Sequence, residues 1–318
     1  MRYRCAVLDD YQNVALSYAD WSKVTGDVEV KVFNEPFKST EEVHRSLQGF
    51  QIIAMMRERT PFLRNTIEAL PDLKLLITTG AGNKSIDLAA AAERGITVCG
   101  TGTFGNPTTG IAFGLILELT RRIGFENARM KAGAPWQVTI GYDIEGMTLG
   151  VIGLGKLGTK VSKLAQAFGM NVIAWSPNLT PEKCKEVGVT YASKEELFST
   201  ADIVTIHVVL SQRSRGLVGT AELARMKPTA YLVNTARGPI VDEGALLEAL
   251  TQKKIAGAGV DVFSVEPLPV DHPFRKLDNM VLTPHLGYVT GDSFRNHYQQ
   301  MVEGIDAWFK GEPKQRLA

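Results

Sequence analysis

The segment GVIGLGKLG, residues 150–158, decides the fold of this 318-residue chain. It carries the pattern G-x-G-x-x-G, directly after an apolar run at 148–152 and before an amphipathic run that begins at Lys156. Strand, glycine turn and helix in this order open a βαβ unit. Gly153 permits a tight turn, Gly155 keeps side-chain atoms away from a pyrophosphate, and Gly158 lets the helix approach the sheet.

The start of that helix predicts a dinucleotide site, because its unpaired N–H groups and partial positive charge attract phosphates. The predicted contacts in the turn are Gly153, Gly155, Lys156, Leu157 and Gly158. An acidic residue that binds the ribose is expected at the end of the next strand, but Ser176 stands there, followed by Pro177 and Asn178. These three residues are further predicted contacts, and they leave the choice between NAD and NADP open.

Outward from the turn, short apolar runs alternate with helical patterns in two blocks, which predicts two α/β domains with parallel sheets. A helix that is apolar almost all round, Thr108–Ile123, separates the blocks and is expected to be buried. The predicted strands are Cys5–Leu8, Val28–Phe33, Ile52–Met55, Leu73–Thr78 and Ile96–Val98, then six more: Thr148–Ile152, Asn171–Trp175, Ile203–His207, Tyr231–Asn234, Gly257–Val262 and Met280–Leu282. The predicted helices besides Thr108–Ile123 are Thr40–Leu47, Asn65–Ala69, Ile86–Ala92, Lys156–Phe168, Pro181–Val187, Lys194–Phe198, Ala221–Arg225, Glu243–Thr251 and Asp292–Lys310.

Charge and cysteine usage narrow the class of protein. There are 35 basic and 34 acidic side chains, a net charge of +1, which favours neither a nucleic-acid nor a membrane partner. The cysteines number three and lie far apart, so neither a disulfide framework nor a metal site is predicted. We expect no signal peptide, no membrane span and a cytoplasmic protein.

Three later segments place polar residues where predicted strands end, which is where open α/β sheets bind ligands. They read NTARG at 234–238, GVDVF at 259–263 followed by EP at 266–267, and TPHLG at 283–287. Together with the glycine turn, and in this order, they resemble the D-isomer-specific 2-hydroxyacid dehydrogenase family over nearly the whole chain. That family includes phosphoglycerate dehydrogenases and glyoxylate/hydroxypyruvate reductases.

The resemblance implies a catalytic set of Arg237, Glu266 and His285. The chemistry agrees, because reduction of a 2-keto acid needs hydride at the carbonyl carbon and a proton on its oxygen. His285 can donate the proton, Glu266 can orient the imidazolium, and Arg237 can clamp the substrate carboxylate.

Further contacts are expected along the same strand ends. The remaining cofactor contacts are His207, Val208, Thr235, Ala236, Arg237, Asp261, His285 and Gly287. The expected substrate contacts are Arg57, Ala81 and Gly82, since the sequence at 78–87 resembles the family's substrate loop. His44, His272 and His297 are expected to be solvated. The chain departs from the family at Gly110, often an acid, and at Val209, often a proline.

The implied architecture is a Rossmann cofactor domain at 104–287, inserted in a smaller flavodoxin-like substrate domain at 1–103 and 288–318. Crossings near Thr103 and Tyr288 would form a hinge. The resemblance also implies a homodimer with the helix at Ile111–Leu117 near the interface, and no separate regulatory domain is expected. Two alternatives stay open besides a small 2-keto acid as substrate: 3-phosphoglycerate oxidation, for which Arg57, Arg59 and Lys84 would have to bind phosphate, and a dinucleotide-sensing corepressor without turnover.

Overall fold

The computed structural model describes residues 2–24 and 28–318. The chain divides into two compact units. The first unit comprises Met1–Gly105 and Thr290–Ala318, and the second unit comprises Asn106–Val289. Among the described residues, no helix is both long and apolar enough to cross a membrane.

The first unit is built on a five-stranded sheet. Its strands are β1 (Tyr3–Val7), β2 (Val28–Val32), β3 (Ile52–Met55), β4 (Leu75–Thr78) and β5 (Thr97–Cys99). All pairs are parallel in the order β2-β1-β3-β4-β5, which is the flavodoxin-like order. Its helices are α1 (Ala15–Tyr18), α2 (Thr40–Ser46), α3 (Arg64–Ala69), α4 (Leu88–Glu93) and, from the end of the chain, α12 (Gly291–Phe309).

The C-terminal segment completes this first sheet. α12 packs on β4, where Gly304 lies against Ile77. The last residues then run antiparallel along β5. The Leu317 amide donates a hydrogen bond to the Val98 carbonyl at 2.7 Å, and the Val98 amide donates one to the Ala318 carbonyl at 3.1 Å. They cover the backbone of an edge strand that would otherwise be exposed for pairing.

The second unit is built on a seven-stranded parallel sheet. Its strands are β6 (Thr148–Ile152), β7 (Asn171–Trp175), β8 (Thr190–Tyr191), β9 (Ile203–Ile206), β10 (Tyr231–Asn234), β11 (Gly257–Val260) and β12 (Met280–Leu282). The order β12-β11-β10-β9-β6-β7-β8 is that of a dinucleotide-binding sheet, with the strand order reversing between β6 and β9. Its helices are α5 (Thr108–Arg121), α6 (Ile123–Lys131), α7 (Lys156–Ala167), α8 (Pro181–Val187), α9 (Lys194–Thr200), α10 (Thr220–Arg225) and α11 (Glu243–Thr251).

Two parallel-sheet α/β domains were the fold class expected from the sequence, and this expectation is confirmed. All eleven predicted strands occur, with ends shifted by no more than two residues. Their residues are mostly buried, because helices cover both faces of a parallel sheet. A continuous apolar run provides apolar side chains for both faces.

Two local predictions were wrong. The second sheet has seven strands, not six, because β8 pairs with β7 through only two exposed residues. The helix predicted to reach Ile123 ends at Arg121, since Arg122 turns into the left-handed region with φ 52°, and α6 follows. α5 buries Ala112, Leu115 and Ile116 within the chain, and burial of its other face against a second copy stays a prediction.

Candidate functional site

The glycine turn between β6 and α7 has the geometry that its sequence predicts. Gly153 has φ 96°, and a Cβ there would lie 2.8 Å from the Val208 Cγ1 atom. A Cβ on Gly158 would overlap the Gly153 carbonyl oxygen, so the helix approaches the turn as only glycine allows. Gly155 differs, since no atom lies within 4 Å of a Cβ built on it. The open side of the turn is therefore at Gly155.

This turn fits the pyrophosphate of a dinucleotide. Gly155 is the N-cap of α7 and makes no side-chain capping hydrogen bond, which leaves the first amides of the helix for an anion. Lys156 is exposed and Leu157 half-buried at the same helix start. Thr235 is a second feature that fits a cofactor. Its buried hydroxyl has no hydrogen-bond partner among the residues that the structure describes, whereas buried polar atoms normally have one.

The segment after β7 carries the residues that the sequence predicts to contact the cofactor's ribose. Ser176 is half-buried, while Pro177 and Asn178 are exposed. The Trp175 carbonyl accepts a hydrogen bond from the Gly153 amide at 2.8 Å, so the next residue, Ser176, lies beside the glycine turn. The hydroxyl of Thr180 accepts the Lys183 amide and caps α8. Ser176 and Asn178 are thus the polar side chains here that cap no helix, and neither one would repel a 2′-phosphate.

His207 and Val208 form the part of the chain that faces the glycine turn. The His207 amide donates to the Ile152 carbonyl at 2.8 Å, and its Nε2 lies 3.0 Å from the Thr205 hydroxyl. Burial lowers the pKa of His207 to about 4, so the ring is neutral at neutral pH. His207 therefore adds no positive charge beside the turn.

The loop after β10 places Arg237. The Asn234 side chain accepts the Ala236 amide at 3.0 Å and donates to the Arg237 carbonyl at 3.0 Å, which fixes the loop from both ends. A Cβ on Gly238 would overlap the backbone of Phe263. Glycine at 238 thus lets the loop that carries Arg237 lie directly on the segment after β11.

That segment carries Glu266, and it connects to His285. Glu266 Oε1 accepts the Phe263 amide at 2.9 Å, and Glu266 Oε2 lies 2.6 Å from His285 Nδ1. The side chain of His285 is 20% exposed and that of Glu266 25% exposed. Because Nδ1 faces the carboxylate, Nε2 is the ring atom left for a substrate. The structure thus brings two of the three predicted catalytic residues into contact and places Arg237 on the adjoining loop.

Asp261 fixes the loop that carries His285. It is 0% exposed, and its carboxylate accepts bonds from the Thr283 hydroxyl at 2.6 Å, the Leu286 amide at 2.7 Å and the Gly287 amide at 2.8 Å. Burial raises the pKa of Asp261, and these hydrogen bonds offset part of the rise. These contacts support residues 283–287, and the cofactor contact predicted at Asp261 stays a prediction.

His285 itself has a left-handed backbone with φ 54°. Such a conformation is uncommon outside glycine and must be held by its surroundings. The hydrogen bonds that the Leu286 and Gly287 amides donate to Asp261 supply that constraint. The Tyr288 ring also packs edge-on against the imidazole, with 5.5 Å between the ring centres. The orientation of the imidazole is therefore built into the loop.

The first unit holds the predicted substrate contacts at the ends of β3 and β4. We call Gly80–Gly82 the substrate loop. Ala81 and Gly82 are exposed, so their amides are accessible. Arg57 lies against this loop: its amide donates to the Thr79 hydroxyl at 2.8 Å, and a Cβ on Gly80 would overlap its guanidinium. The structure thus brings Arg57 and the substrate loop together.

Sequence reasoning missed the residues that support this loop. His297 was expected to be solvated, and this was wrong: it is 4% exposed and lies 3.3 Å from the Thr101 hydroxyl. His44 and His272 are both half-buried. The missed signal is the spacing of apolar residues along α12, which puts His297 on the same face as buried Met301.

The comparisons with known proteins agree with this geometry. Residues 113–287 match the family model for D-isomer specific 2-hydroxyacid dehydrogenase, NAD binding domain. A glyoxylate reductase of Korarchaeum cryptofilum is 36% identical over 259 residues, 79% of this chain and 78% of that protein. A D-3-phosphoglycerate dehydrogenase of Archaeoglobus fulgidus is 35% identical over 300 residues, 92% of this chain but 55% of that protein. The chain thus spans about half of that longer relative.

A solved structure, that of phosphoglycerate oxidoreductase from Vibrio cholerae, superimposes with a TM-score of 0.92 at 32% identity, over 97% of this chain and 99% of the other. Fold, strand-end residues and relatives thus define a nicotinamide-dependent oxidoreductase, as the sequence predicted. The chain belongs to the D-isomer specific 2-hydroxyacid dehydrogenase family. Its reaction is hydride transfer between NAD(P)H and a 2-keto acid, or the reverse from the 2-hydroxy acid.

Proposed function

We propose that this enzyme reduces small, unphosphorylated 2-keto acids, such as glyoxylate or hydroxypyruvate, with Arg237, Glu266 and His285 as its catalytic residues. The observation that carries the proposal is the 2.6 Å contact between Glu266 Oε2 and His285 Nδ1. It defines an imidazole whose other nitrogen is directed away from its carboxylate partner, which is the arrangement that proton donation to a carbonyl oxygen requires.

In this proposal His285 donates a proton from Nε2 to the keto oxygen as the 2-hydroxy acid forms. Glu266 stabilises the cationic ring before the transfer and keeps it oriented through Nδ1. In the oxidative direction, the same Nε2 accepts the hydroxyl proton. Asp261 acts through the loop at 283–287 and is a positioning residue.

Arg237 is proposed to bind the substrate carboxylate. A guanidinium can donate two parallel hydrogen bonds to a carboxylate, and this fixes the orientation of the acid as well as its position. One of its nitrogens, Nη1, already donates to the Ala236 carbonyl at 2.8 Å, which restricts the side chain before substrate binds. Arg57 and the amides of the substrate loop are proposed as further carboxylate contacts from the first unit.

The nicotinamide cofactor supplies or accepts the hydride when bound. We assign its pyrophosphate to the glycine turn with Lys156 and Leu157, and its ribose to Ser176, Pro177 and Asn178. His207, Val208, Thr235, Ala236 and Gly287 complete the proposed contacts. Thr235 supports this assignment most directly, because its buried hydroxyl lacks a hydrogen-bond partner within the described part of the chain.

The environment of Arg59 supports an unphosphorylated substrate. Asp9 is 3% exposed and accepts hydrogen bonds from the Tyr11 and Thr60 hydroxyls at 3.0 and 2.9 Å. Burial raises the pKa of Asp9, while the nearby charge of Arg59 lowers it. The guanidinium also lies 5.2 Å from the centre of the Tyr11 ring. A phosphate at Arg59 would therefore also face the Asp9 carboxylate, which weakens the case for 3-phosphoglycerate oxidation.

A panel of keto acids tests the function. Purified enzyme is assayed with NADH and NADPH in parallel against glyoxylate, hydroxypyruvate and phosphohydroxypyruvate. We expect kcat/KM to be about tenfold or more higher for an unphosphorylated acid, because like charges placed together disfavour the phosphorylated one. A preference for the phosphorylated acid would support the phosphoglycerate alternative instead. No turnover, together with a change of assembly state on dinucleotide binding, would support the corepressor alternative.

A homodimer is proposed as the assembly, and the structure favours a different surface from α5 for its interface. Beyond α6 the segment 132–143 contains no helix or strand, and Trp136, Val138 and Ile140 are 66%, 59% and 94% exposed. The segment is nevertheless held in place, since Glu126 accepts the Val138 and Thr139 amides. A fixed, exposed apolar surface of this kind is typical of a protein–protein interface, and a second copy could present the same surface in return.

Light scattering tests the dimer. We expect wild-type protein at twice the chain mass and Ile140→Glu at the chain mass, because a buried unpaired carboxylate costs several kcal/mol at an interface. Val270→Glu is the matched control, since Val270 is 91% exposed elsewhere in the second unit, and it should remain dimeric. A dimeric Ile140→Glu protein would place the interface elsewhere, and a monomeric wild type would contradict the dimer.

A cytoplasmic location is also proposed. Its support is that Cys5, Cys99 and Cys184 are free and buried, as in proteins of reducing compartments. Burial raises the pKa of Cys5 to about 12, so this thiol is unreactive.

A further inference from the structure

The side chain of His297 is connected to the substrate loop through a single hydroxyl group. Its Nδ1 lies 3.3 Å from the Thr101 Oγ1 atom. The same oxygen accepts the Gly80 amide at 2.9 Å, and the Thr101 amide donates to the Gly80 carbonyl at 3.0 Å. Two hydrogen bonds thus tie Thr101 to the first residue of the loop, and the histidine ring holds the side chain that makes one of them.

Arg57 is fixed to the same loop. Its Nη1 donates to the Thr79 carbonyl at 3.3 Å, and its guanidinium lies against Gly80. The Asn83 side chain donates to the Arg57 carbonyl at 2.6 Å. A displacement of Gly80 would therefore also displace the guanidinium.

The charge state of His297 suits this arrangement. Burial, and to a lesser degree the charge of Arg57, lowers the pKa of His297 to about 4, so the ring is neutral at neutral pH. The Thr101 hydroxyl has one hydrogen, and its oxygen already accepts from Gly80. A neutral His297 ring that carries its own hydrogen on Nε2 can accept the Thr101 hydroxyl hydrogen at Nδ1, so both the oxygen and the hydrogen of that hydroxyl have a partner.

We propose that His297 is a positioning residue for the keto acid. Through Thr101 it holds the Gly80 backbone, and with it the Ala81 and Gly82 amides and the Arg57 guanidinium, in the arrangement that receives the carboxylate. A loop ordered before binding avoids the entropic cost of ordering it on binding. The inference rests on the proposed function, since it takes Arg57 and the substrate loop as substrate contacts.

Substitutions that remove or restore one acceptor test the inference. His297→Leu fills the buried position with an apolar side chain of moderate size but removes the acceptor for the hydrogen of the Thr101 hydroxyl. We expect KM for glyoxylate to rise about tenfold, the worth of one buried hydrogen bond, with kcat and the KM for NADH nearly unchanged. His297→Asn should restore most of the loss, because its Oδ1 can take the place of Nδ1. Thr101→Val should raise this KM at least as much as His297→Leu, because it also removes the acceptor of the Gly80 amide.

The double variant tests whether His297 and Thr101 act through the same hydrogen bond. If both residues act through one hydroxyl, His297→Leu combined with Thr101→Val should cost no more than Thr101→Val alone. Additive losses, or a rise in KM for NADH equal to that for glyoxylate, would indicate general loosening of the fold and overturn the inference. So would an unchanged KM for glyoxylate in both single variants.

Binding of oxamate, a non-reacting analogue of a keto acid, separates this inference from the proposed function. Calorimetry with the NADH-loaded enzyme should show oxamate binding about tenfold weaker in His297→Leu than in wild type. If wild type reduces no keto acid yet shows this difference, the proposed function fails and the inference stands. If wild type binds no oxamate, both fail.

Discussion

Replacing His285 with alanine is expected to lower kcat for keto-acid reduction by about 100- to 10,000-fold, the range that a general acid contributes. Glu266 lies 2.6 Å from Nδ1, so in the proposed mechanism the substrate receives its proton from Nε2, which alanine lacks. Binding of NADH, followed by fluorescence, should persist, because the glycine turn is separate from this ring. Steady-state rates with saturating NADH measure the loss.

Two further variants test whether the loss of activity is specific to the Nε2 atom of His285. His285→Asn retains a group that can donate to Glu266 but has no atom at Nε2, so it should lose activity as the alanine variant does. His272→Ala removes another loop histidine of the second unit, one that lies 4.0 Å from Glu243, and should keep near-normal turnover. Normal kcat in His285→Ala would show that the proton comes from elsewhere.

The second large effect is expected at the glycine turn, where two alanine substitutions should behave differently. In Gly158→Ala the new Cβ would overlap the Gly153 carbonyl oxygen. This clash with backbone should lower the free energy of unfolding by about 2 kcal/mol or more and abolish NADH binding. Thermal melts and fluorescence titration measure the two quantities.

Gly155→Ala is the matched variant, because a Cβ there meets no atom of the protein within 4 Å. Its Tm should remain that of wild type, whereas the Kd for NADH should rise about tenfold or more, since the methyl group occupies the space assigned to the pyrophosphate. A normal Kd in Gly155→Ala would move the cofactor away from this turn. A normal Tm in Gly158→Ala would contradict the close helix–turn contact.

The parts of the site that the sequence predicted are those that depend on short stretches of chain. The glycine turn needs only the spacing of Gly153, Gly155 and Gly158 between a strand and a helix. The pairing of Glu266 with His285 was implied by the family resemblance, and it agrees with their positions after parallel strands, whose ends meet at one edge of the sheet. Residue type and strand position alone would not have selected these two residues.

Other features depend on contacts that no short stretch contains. Thr101 and His297 are 196 residues apart, and the polar neighbours of His297 in the sequence hide its burial. The support that Asp261 gives to residues 283–287 was not predicted, because its hydrogen-bond partners lie 22 to 26 residues further along the chain. The edge strand β8 has two exposed residues and therefore no apolar pattern to reveal it.

The first unit is assembled from two stretches of chain that are far apart in the sequence, and this has a consequence for biosynthesis. It takes α12 and the pairing of residues 315–318 with β5 from a stretch that follows the second unit. The five strands of the first unit precede the second unit in the sequence, yet β5 stays uncovered until residues 315–318 have left the ribosome. The second unit, by contrast, has all its residues once Val289 has emerged. The unit whose strands are synthesised earlier is therefore the one that finishes folding later, and the β5 edge stays available for incorrect pairing until its covering segment emerges.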